Sequence, residues 1–188
     1  VFALATNGDQ VYVGGEFSGA GELDTRNLAR WDGVQWETIG DTDGAVFTLL
    51  QTETNLIAGG EFSTIDGVLV NHIGSWDGEQ WSGLDGGTDA DVFALVMQGP
   101  ALIAGGAFEM AGAVSVSRIA QWSGSQWTAL GDGVDGDVLT LAMLGSDLIA
   151  GGRFMNAGNE TANRIAAWNG VEWGTLGTGL SGDPLTLS

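Results

Sequence analysis

Residues 30–36 read Arg-Trp-Asp-Gly-Val-Gln-Trp (RWDGVQW), two tryptophans five apart around an Asp-Gly. The spacing returns as WDGEQW at 76–81, WSGSQW at 122–127 and WNGVEW at 168–173, and these four stretches hold all 8 tryptophans of the chain. Asp-Gly, Asn-Gly and Ser-Gly between β-forming residues mark hairpin turns. A two-residue turn sets Ala29 opposite Trp36 and Val34 opposite Trp31, with the two rings diagonal on one side of the sheet. A four-residue loop sets Trp31 directly opposite Trp36, again on one side. The rings therefore share a face under either register.

Outward from the hairpin, the whole chain repeats. VFALATNGDQVYVGGEF at 1–17 aligns with VFTLLQTETNLIAGGEF at 46–62, VFALVMQGPALIAGGAF at 92–108 and VLTLAMLGSDLIAGGRF at 138–154, at steps of 45, 46 and 46 residues. Every copy runs 14 residues from its Phe (17, 62, 108, 154) to its first Trp (31, 76, 122, 168), and the single deletion falls after Trp36. PLTLS at 184–188 matches VLTLA at 138–142, a further step of 46. The repeats are thus 1–45, 46–91, 92–137 and 138–183, with the first element of a fifth at 184–188.

Each copy offers four short strands: an apolar VFALA-like one, a QVYVGGEF-like one ending in Gly-Gly, an NLARW-like one, and one starting at the second Trp. Turn residues such as Asn7-Gly8, Gly99-Pro100 and Asn169-Gly170 punctuate the junctions. No stretch sustains a 3.6-residue period, so almost no helix is expected. Four strands per unit of this length predict an all-β fold, a β-propeller of four-stranded antiparallel blades, read as a single domain or propeller segment. The first strand, with small residues Ala3, Ala94 and Ala142, is expected innermost.

These copies resemble the kelch-type repeat. They are most similar to a bacterial secreted or cell-surface form, GGxF…NRIAxWDGxxWxxLG, which reads here GGEF…NLARWDGVQWETIG, GGEF…NHIGSWDGEQWSGLD, GGAF…SRIAQWSGSQWTALG and GGRF…NRIAAWNGVEWGTLG. The resemblance covers the whole chain and implies a propeller. It says little about activity, since one fold hosts many functions.

Composition narrows the rest. The 188 residues are 44% hydrophobic, enough for a real core, and the 33 glycines are spread regularly rather than in low-complexity runs. Twenty-four acids face 5 arginines and no lysine, a net charge of −19. Such a surface repels nucleic acid and anionic membranes and favours cations or basic partners. With no cysteine there is no disulfide framework and no thiolate metal site. No apolar run reaches the roughly 18 residues of a membrane span. The chain opens at Val1 without a signal peptide and reads as an excised part of something longer, in a secreted or cell-surface setting.

The tryptophan pairs Trp31/Trp36, Trp76/Trp81, Trp122/Trp127 and Trp168/Trp173 admit two readings. Indole faces stack on sugars, which makes them candidate glycan contacts. A large same-face pair on the outer strands also packs one blade on the next, and that role must recur in every copy, as this motif does. The glycine pairs Gly14/Gly15, Gly59/Gly60, Gly105/Gly106 and Gly151/Gly152 are expected to close the second strand, where glycine permits a bulge or close backbone approach. They precede loops of about ten residues (18–26, 63–71, 109–117 and 155–163), not a helix, so a phosphate cradle fails.

The loops from fourth to first strand carry Asp41 and Asp43; Asp85, Asp89 and Asp91; Asp132, Asp135 and Asp137; then Asp183. The pairs Asp89/Asp91 and Asp135/Asp137 are candidate calcium ligands, since Ca²⁺ takes six to eight oxygens. The competing reading is that Asp caps tight turns. No other cofactor is indicated. The third strand opens with Asn27, His72, Arg118 and Arg164, of which the arginines are expected to pair with loop acids.

One His, one Tyr and no Cys exclude a copper site with a Tyr-Cys cross-link, a sialidase-type arginine cluster is missing, and a nucleophilic triad lacks its base. No acid stands apart as a glycosidase pair. The chain therefore reads as a non-catalytic scaffold for protein interaction or adhesion. A glycan-binding lectin with sites between blades, or an accessory domain of a larger extracellular enzyme, are the alternatives. Open edges of the terminal blades would invite self-association.

Overall fold

The computed structural model of the chain describes residues 1–184 and Thr186. Every described regular element is a strand. Each repeat forms a four-stranded antiparallel sheet whose strands lie in chain order. The sheets are Ala3–Asn7, Gln10–Gly14, Leu28–Trp31 and Trp36–Glu37; then Val46–Gln51, Leu56–Gly60, Ile73–Trp76 and Trp81–Gly83. Those of the third and fourth repeats are Val92–Gln98, Ala101–Gly106, Ile119–Trp122 and Trp127–Ala129, and Val138–Leu144, Asp147–Gly152, Ile165–Trp168 and Trp173–Thr175. The repeats group into two compact units, Val1–Gly87 and a second from Thr88 onward. The inner strand expected at 184–188 rests on Leu185, Leu187 and Ser188, which lie outside the described residues.

The glycine pairs close the second strand in three copies, and the first copy departs from this expectation. There the strand Gln10–Gly14 stops at the first glycine, and Gly15 lies in a bend beyond it. The reason is the partner strand. Val46, Val92 and Val138 extend the ladder as far as Gly60, Gly106 and Gly152, whereas the first sheet's register begins at Ala3, opposite Gly14. Gly15 is still buried and held: its N–H donates to the Asn27 carbonyl, and its own carbonyl accepts from Val46 N–H, both at 3.0 Å.

The hairpins take the four-residue register. Trp31 pairs with Trp36, Trp76 with Trp81, Trp122 with Trp127 and Trp168 with Trp173. The residue after the first Trp sets this loop length. Asp32 Oδ1 accepts from the backbone N–H groups of Val34 and Gln35, both at 2.7 Å. Asp77 and Asn169 bond the same two positions of their loops, and Ser123 Oγ accepts from Gln126 N. An Asx turn of this kind replaces a backbone turn. Gly33, Gly78, Gly124 and Gly170 follow with φ between 97° and 103°, outside the range of L side chains.

The loops between second and third strands are more ordered than the sequence suggests. Each folds into its own two-stranded hairpin: Gly19–Ala20 with Leu23–Asp24, Thr64–Ile65 with Val68–Leu69, Met110–Ala111 with Val114–Ser115, and Asn156–Ala157 with Glu160–Thr161. Their strands are two residues long, too short for a period-2 pattern to register.

Apolar burial follows the strand order. The second strand is the most enclosed, with Leu56–Gly60 buried throughout. One cluster in the first unit gathers Tyr12, Leu28, Val46, Leu49, Leu56 and Phe62. A second cluster gathers Ile103, Ile119, Val138, Leu141, Leu148 and Phe154. Both span two consecutive repeats, so neither sheet of a pair has a core of its own.

Candidate functional site

The residues singled out in the sequence converge on the contact between one repeat and the next. The glycine pairs show why a side chain is excluded. A Cβ on Gly14 would stand 2.6 Å from Val46 Cγ1 of the following repeat, and one on Gly105 would stand 2.5 Å from Val138 Cγ1. The second glycine of each pair meets the segment that leads into its own sheet's first strand instead. A Cβ on Gly60, Gly106 or Gly152 would run into the carbonyl oxygen of Ala45, Asp91 or Asp137, and one on Gly15 would stand 2.8 Å from Val1 Cα. Those three carbonyls are occupied, accepting from the N–H groups of Glu61, Ala107 and Arg153. A bulge accompanies this packing in the later copies: the register shifts across Phe47, Phe93 and Leu139, opposite each pair. Both expected uses of glycine, bulge and close approach, thus occur together. At Gly14 and Gly15 the close approach occurs on a ladder that runs without a shift.

The tryptophans divide by position. The rings of each pair touch at centroid distances of 5.2–5.6 Å, tilted or edge to face. The second ring is the deeper one: Trp81, Trp127 and Trp173 are 5%, 2% and 6% exposed. The indole N–H of Trp173 donates to the Leu130 carbonyl of the preceding repeat at 2.9 Å, and Trp81 donates likewise to Ile39. Gly40 and Gly131, with φ of 136° and 57°, lie beneath these rings. Trp31, Trp76 and Trp122 are half-buried, and Trp168 is 8% exposed. The faces of the three deep rings are therefore covered by protein.

The aspartates form a second series of clamps. Asp43 Oδ1 accepts from the N–H groups of Ser63 and Thr64 at 2.7 and 2.9 Å. Asp89 holds Glu109 and Met110 in the same way at 2.8 and 2.9 Å, and Asp135 holds Met155 and Asn156 at 2.8 and 2.9 Å. One carboxylate thus caps two donors at the start of the next repeat's small hairpin. A backbone bridge seals each clamp: Thr42 to Ile65, Thr88 to Ala111 and Val134 to Ala157. Burial pushes the Asp135 carboxyl up, but hydrogen bonds from Asn156 and Met155 outweigh it and hold the group below its usual value. The same opposition, with Thr64 and Ser63 as donors, lowers Asp43.

Asp89 and Asp135 therefore turn oxygens toward amides. Asp91 and Asp137 contribute main-chain carbonyls to the ladder, and Asp137 also lies 4.0 Å from Arg153. Among the described residues, no three His, Cys, Asp or Glu side chains come together as a metal centre. Asp183 joins Arg153 and Arg164 at 3.1 and 3.0 Å, and these two guanidinium groups lower its carboxyl. Arg118 pairs with Glu109 at 3.0 Å, so Arg118 and Arg164 both meet loop acids.

One structural position escaped the sequence. Asn27, His72, Arg118 and Arg164 all adopt left-handed backbone, with φ of 66°, 68°, 65° and 73°. In each copy the N–H donates to the carbonyl of the repeat's Phe, and the carbonyl accepts from the second glycine of the pair. Two backbone bonds hold a conformation that bulky L residues rarely adopt. Asn27 hints at it, since asparagine tolerates this region. Arginine and histidine give no such signal.

No family model matches the chain, and no curated protein matches it. Among solved structures it is similar to the computationally designed Ika4 protein, with a TM-score of 0.54 and 18% identity over 89% of each chain. It is also similar to the computationally designed Ika8 protein, at TM-score 0.54 and 17% identity, over 99% of this chain and 64% of that one. The chain therefore spans just under two thirds of Ika8. At such identity the likeness concerns the fold alone: a run of four-stranded antiparallel sheets.

Proposed function

We propose that the four sheets are blades of a β-propeller and that the protein is a non-catalytic scaffold for protein interaction or adhesion, secreted or at the cell surface. One observation carries the reading. Trp81, Trp173, Asp43, Asp89 and Asp135 are engaged in holding one repeat to the next, whereas the exposed hairpins differ from copy to copy. Residues 18–26, 63–71, 109–117 and 155–163 share little beyond their turn. They expose Leu69, Met155 and Val68 at 65%, 46% and 40%, and Glu22, Glu109 and Glu160 in these hairpins are exposed as well. Exposed apolar side chains on a chain of net charge −19 suit a protein partner with a basic surface.

The test is binding of the purified chain to arrays of secreted proteins and of glycans, in parallel. Protein targets are expected, with binding weakened when Val68 and Leu69 are both changed to Ser and the melting temperature holds. A glycan signal that disappears in a folded Trp36→Ala chain would replace this reading with a lectin.

A further inference from the structure

The four tryptophan hairpins share one loop geometry but not one chemistry, and the fourth carries a leaving group. We infer that Asn169 is a site of spontaneous covalent modification, its side-chain amide lost as ammonia through a succinimide closed by Gly170.

The fourth hairpin brings the reacting groups together. Asn169 Oδ1 accepts from the backbone N–H groups of Val171 and Glu172, both at 2.9 Å. Asn169 Nδ2 and the Gly170 N–H have no hydrogen-bond partner among the described residues, so neither the departing nor the attacking nitrogen is held. Asn169 and Gly170 are exposed, and Val171 beside them is 82% exposed. Nothing stands within 4 Å of a Cβ built on Gly170, so water and base reach its N–H.

The steps balance with water alone. The Gly170 nitrogen loses its proton to solvent base and attacks Asn169 Cγ, and the carbonyl electron pair moves onto Oδ1. The Cγ–Nδ2 bond then breaks, Nδ2 takes a proton and leaves as ammonia, and a five-membered imide remains. Water adds to either imide carbonyl and opens the ring to aspartate or isoaspartate.

The two N–H groups on Oδ1 point where negative charge develops, and preorganised donors of this kind lower a barrier. The chain displays their effect at the same loop position of other copies. Asp32 accepts from Gln35 and Val34, and Asp77 from Gln80 and Glu79, and these bonds hold both carboxyls below the usual aspartate value. As carboxylates they resist attack at Cγ, and Ser123 has no carbonyl there. Among the four hairpins Asn169 alone joins the donor pair to an uncharged carbonyl with a nitrogen to lose. The product aspartate enters a loop that two copies already build with aspartate, and it adds one negative charge to a chain of −19.

Asn7-Gly8 is the same dipeptide in another setting. Asn7 ends a strand, paired with Gln10 across the turn Gly8-Asp9, and its side-chain oxygen accepts no bond among the described residues. Turning Gly8 N toward Asn7 Cγ breaks that pairing, and no donor pair waits for the charge.

The test is incubation of the full chain in mildly alkaline buffer, with peptide mapping by mass spectrometry and enzymatic labelling of isoaspartate. In the folded chain Asn169 is expected to convert at least about tenfold faster than Asn7, a barrier difference of about 1.36 kcal/mol. In concentrated urea both dipeptides lose their settings, and the two rates are expected to agree within about threefold. Asn169→Ser, which copies the third hairpin, removes the fast release of ammonia, and Asn169→Asp keeps the melting temperature of the parent. An Asn7 rate equal to that of Asn169 in the folded chain overturns the inference. So does an Asn169 left intact while the urea sample converts, a preference that persists unchanged in urea, or a fast phase that survives in folded Asn169→Ser.

Discussion

Trp173→Phe isolates the indole bond between repeats. The substitution keeps an aromatic ring but removes the N–H that donates to Leu130 at 2.9 Å. Leu130 is 2% exposed, so water cannot replace the lost donor. An unsatisfied buried carbonyl costs about 1–3 kcal/mol. The missing part of the bicyclic ring leaves a small void in a residue 6% exposed, worth about 1–2 kcal/mol more. The expected loss is about 2–4 kcal/mol, as these effects overlap. Trp36→Phe is the internal control. It changes the same repeat position, but the ring is half-exposed and lacks an acceptor, so its loss stays below about 1 kcal/mol. Urea unfolding followed by tryptophan fluorescence reads both. With a slope of about 2 kcal/mol/M, Trp173→Phe moves the midpoint down by about 1–2 M and Trp36→Phe by less than about 0.5 M. Equal shifts in the two variants would refute the reasoning, because the bond across repeats would then contribute nothing.

Three further outcomes follow from the same contacts. Gly105→Ala places a methyl 2.5 Å from Val138 Cγ1 and is expected to cost about 1–3 kcal/mol in the same unfolding assay, with little loss if the next repeat can shift. Asp135→Ala removes the cap on Met155 and Asn156 and is expected to cost about 1–2 kcal/mol at neutral pH. Its folded carboxyl is depressed below its unfolded value of about 3.9, so the stability it supplies is present above about pH 4 and is lost as pH falls through the folded value. The wild-type and Asp135→Ala curves should therefore converge in acid, and a constant gap down to about pH 2 would rule this clamp out. Excess chelator is expected to leave the melting temperature unchanged, because Asp89 and Asp135 already hold amides. A melt that rises with added calcium would assign the Asp89/Asp91 and Asp135/Asp137 pairs to the ion.

Legibility in the sequence followed the range of the interaction. The glycine pairs could be read as close approaches because glycine in a strand has few other reasons to recur. Which atoms approach, Val46 for Gly14 but Ala45 for Gly60, was not legible. Nor was the early end of the first copy's second strand, since Gly15 has the same neighbours in sequence as Gly60 and differs only in its strand partner. The acids read as turn caps or calcium ligands, and the capping sense holds for Asp43, Asp89 and Asp135. The turns they cap belong to the following repeat, about 20 residues on. The small hairpins, with strands of two residues, left no periodic mark, and of the four left-handed residues only Asn27 hinted at its backbone.

By itself the sequence determined the repeat, the four strands per copy and the shared face of each tryptophan pair. These depend on alternation and turn chemistry among residues a few positions apart, which any single copy displays. The tertiary structure alone decided which ring is the deep one and what it bonds. The acceptor lies 42 or 43 residues earlier in the chain, at Ile39 for Trp81 and Leu130 for Trp173. A backbone carbonyl has no side-chain identity for a sequence to reveal, so only the packing of one sheet on the next could single it out.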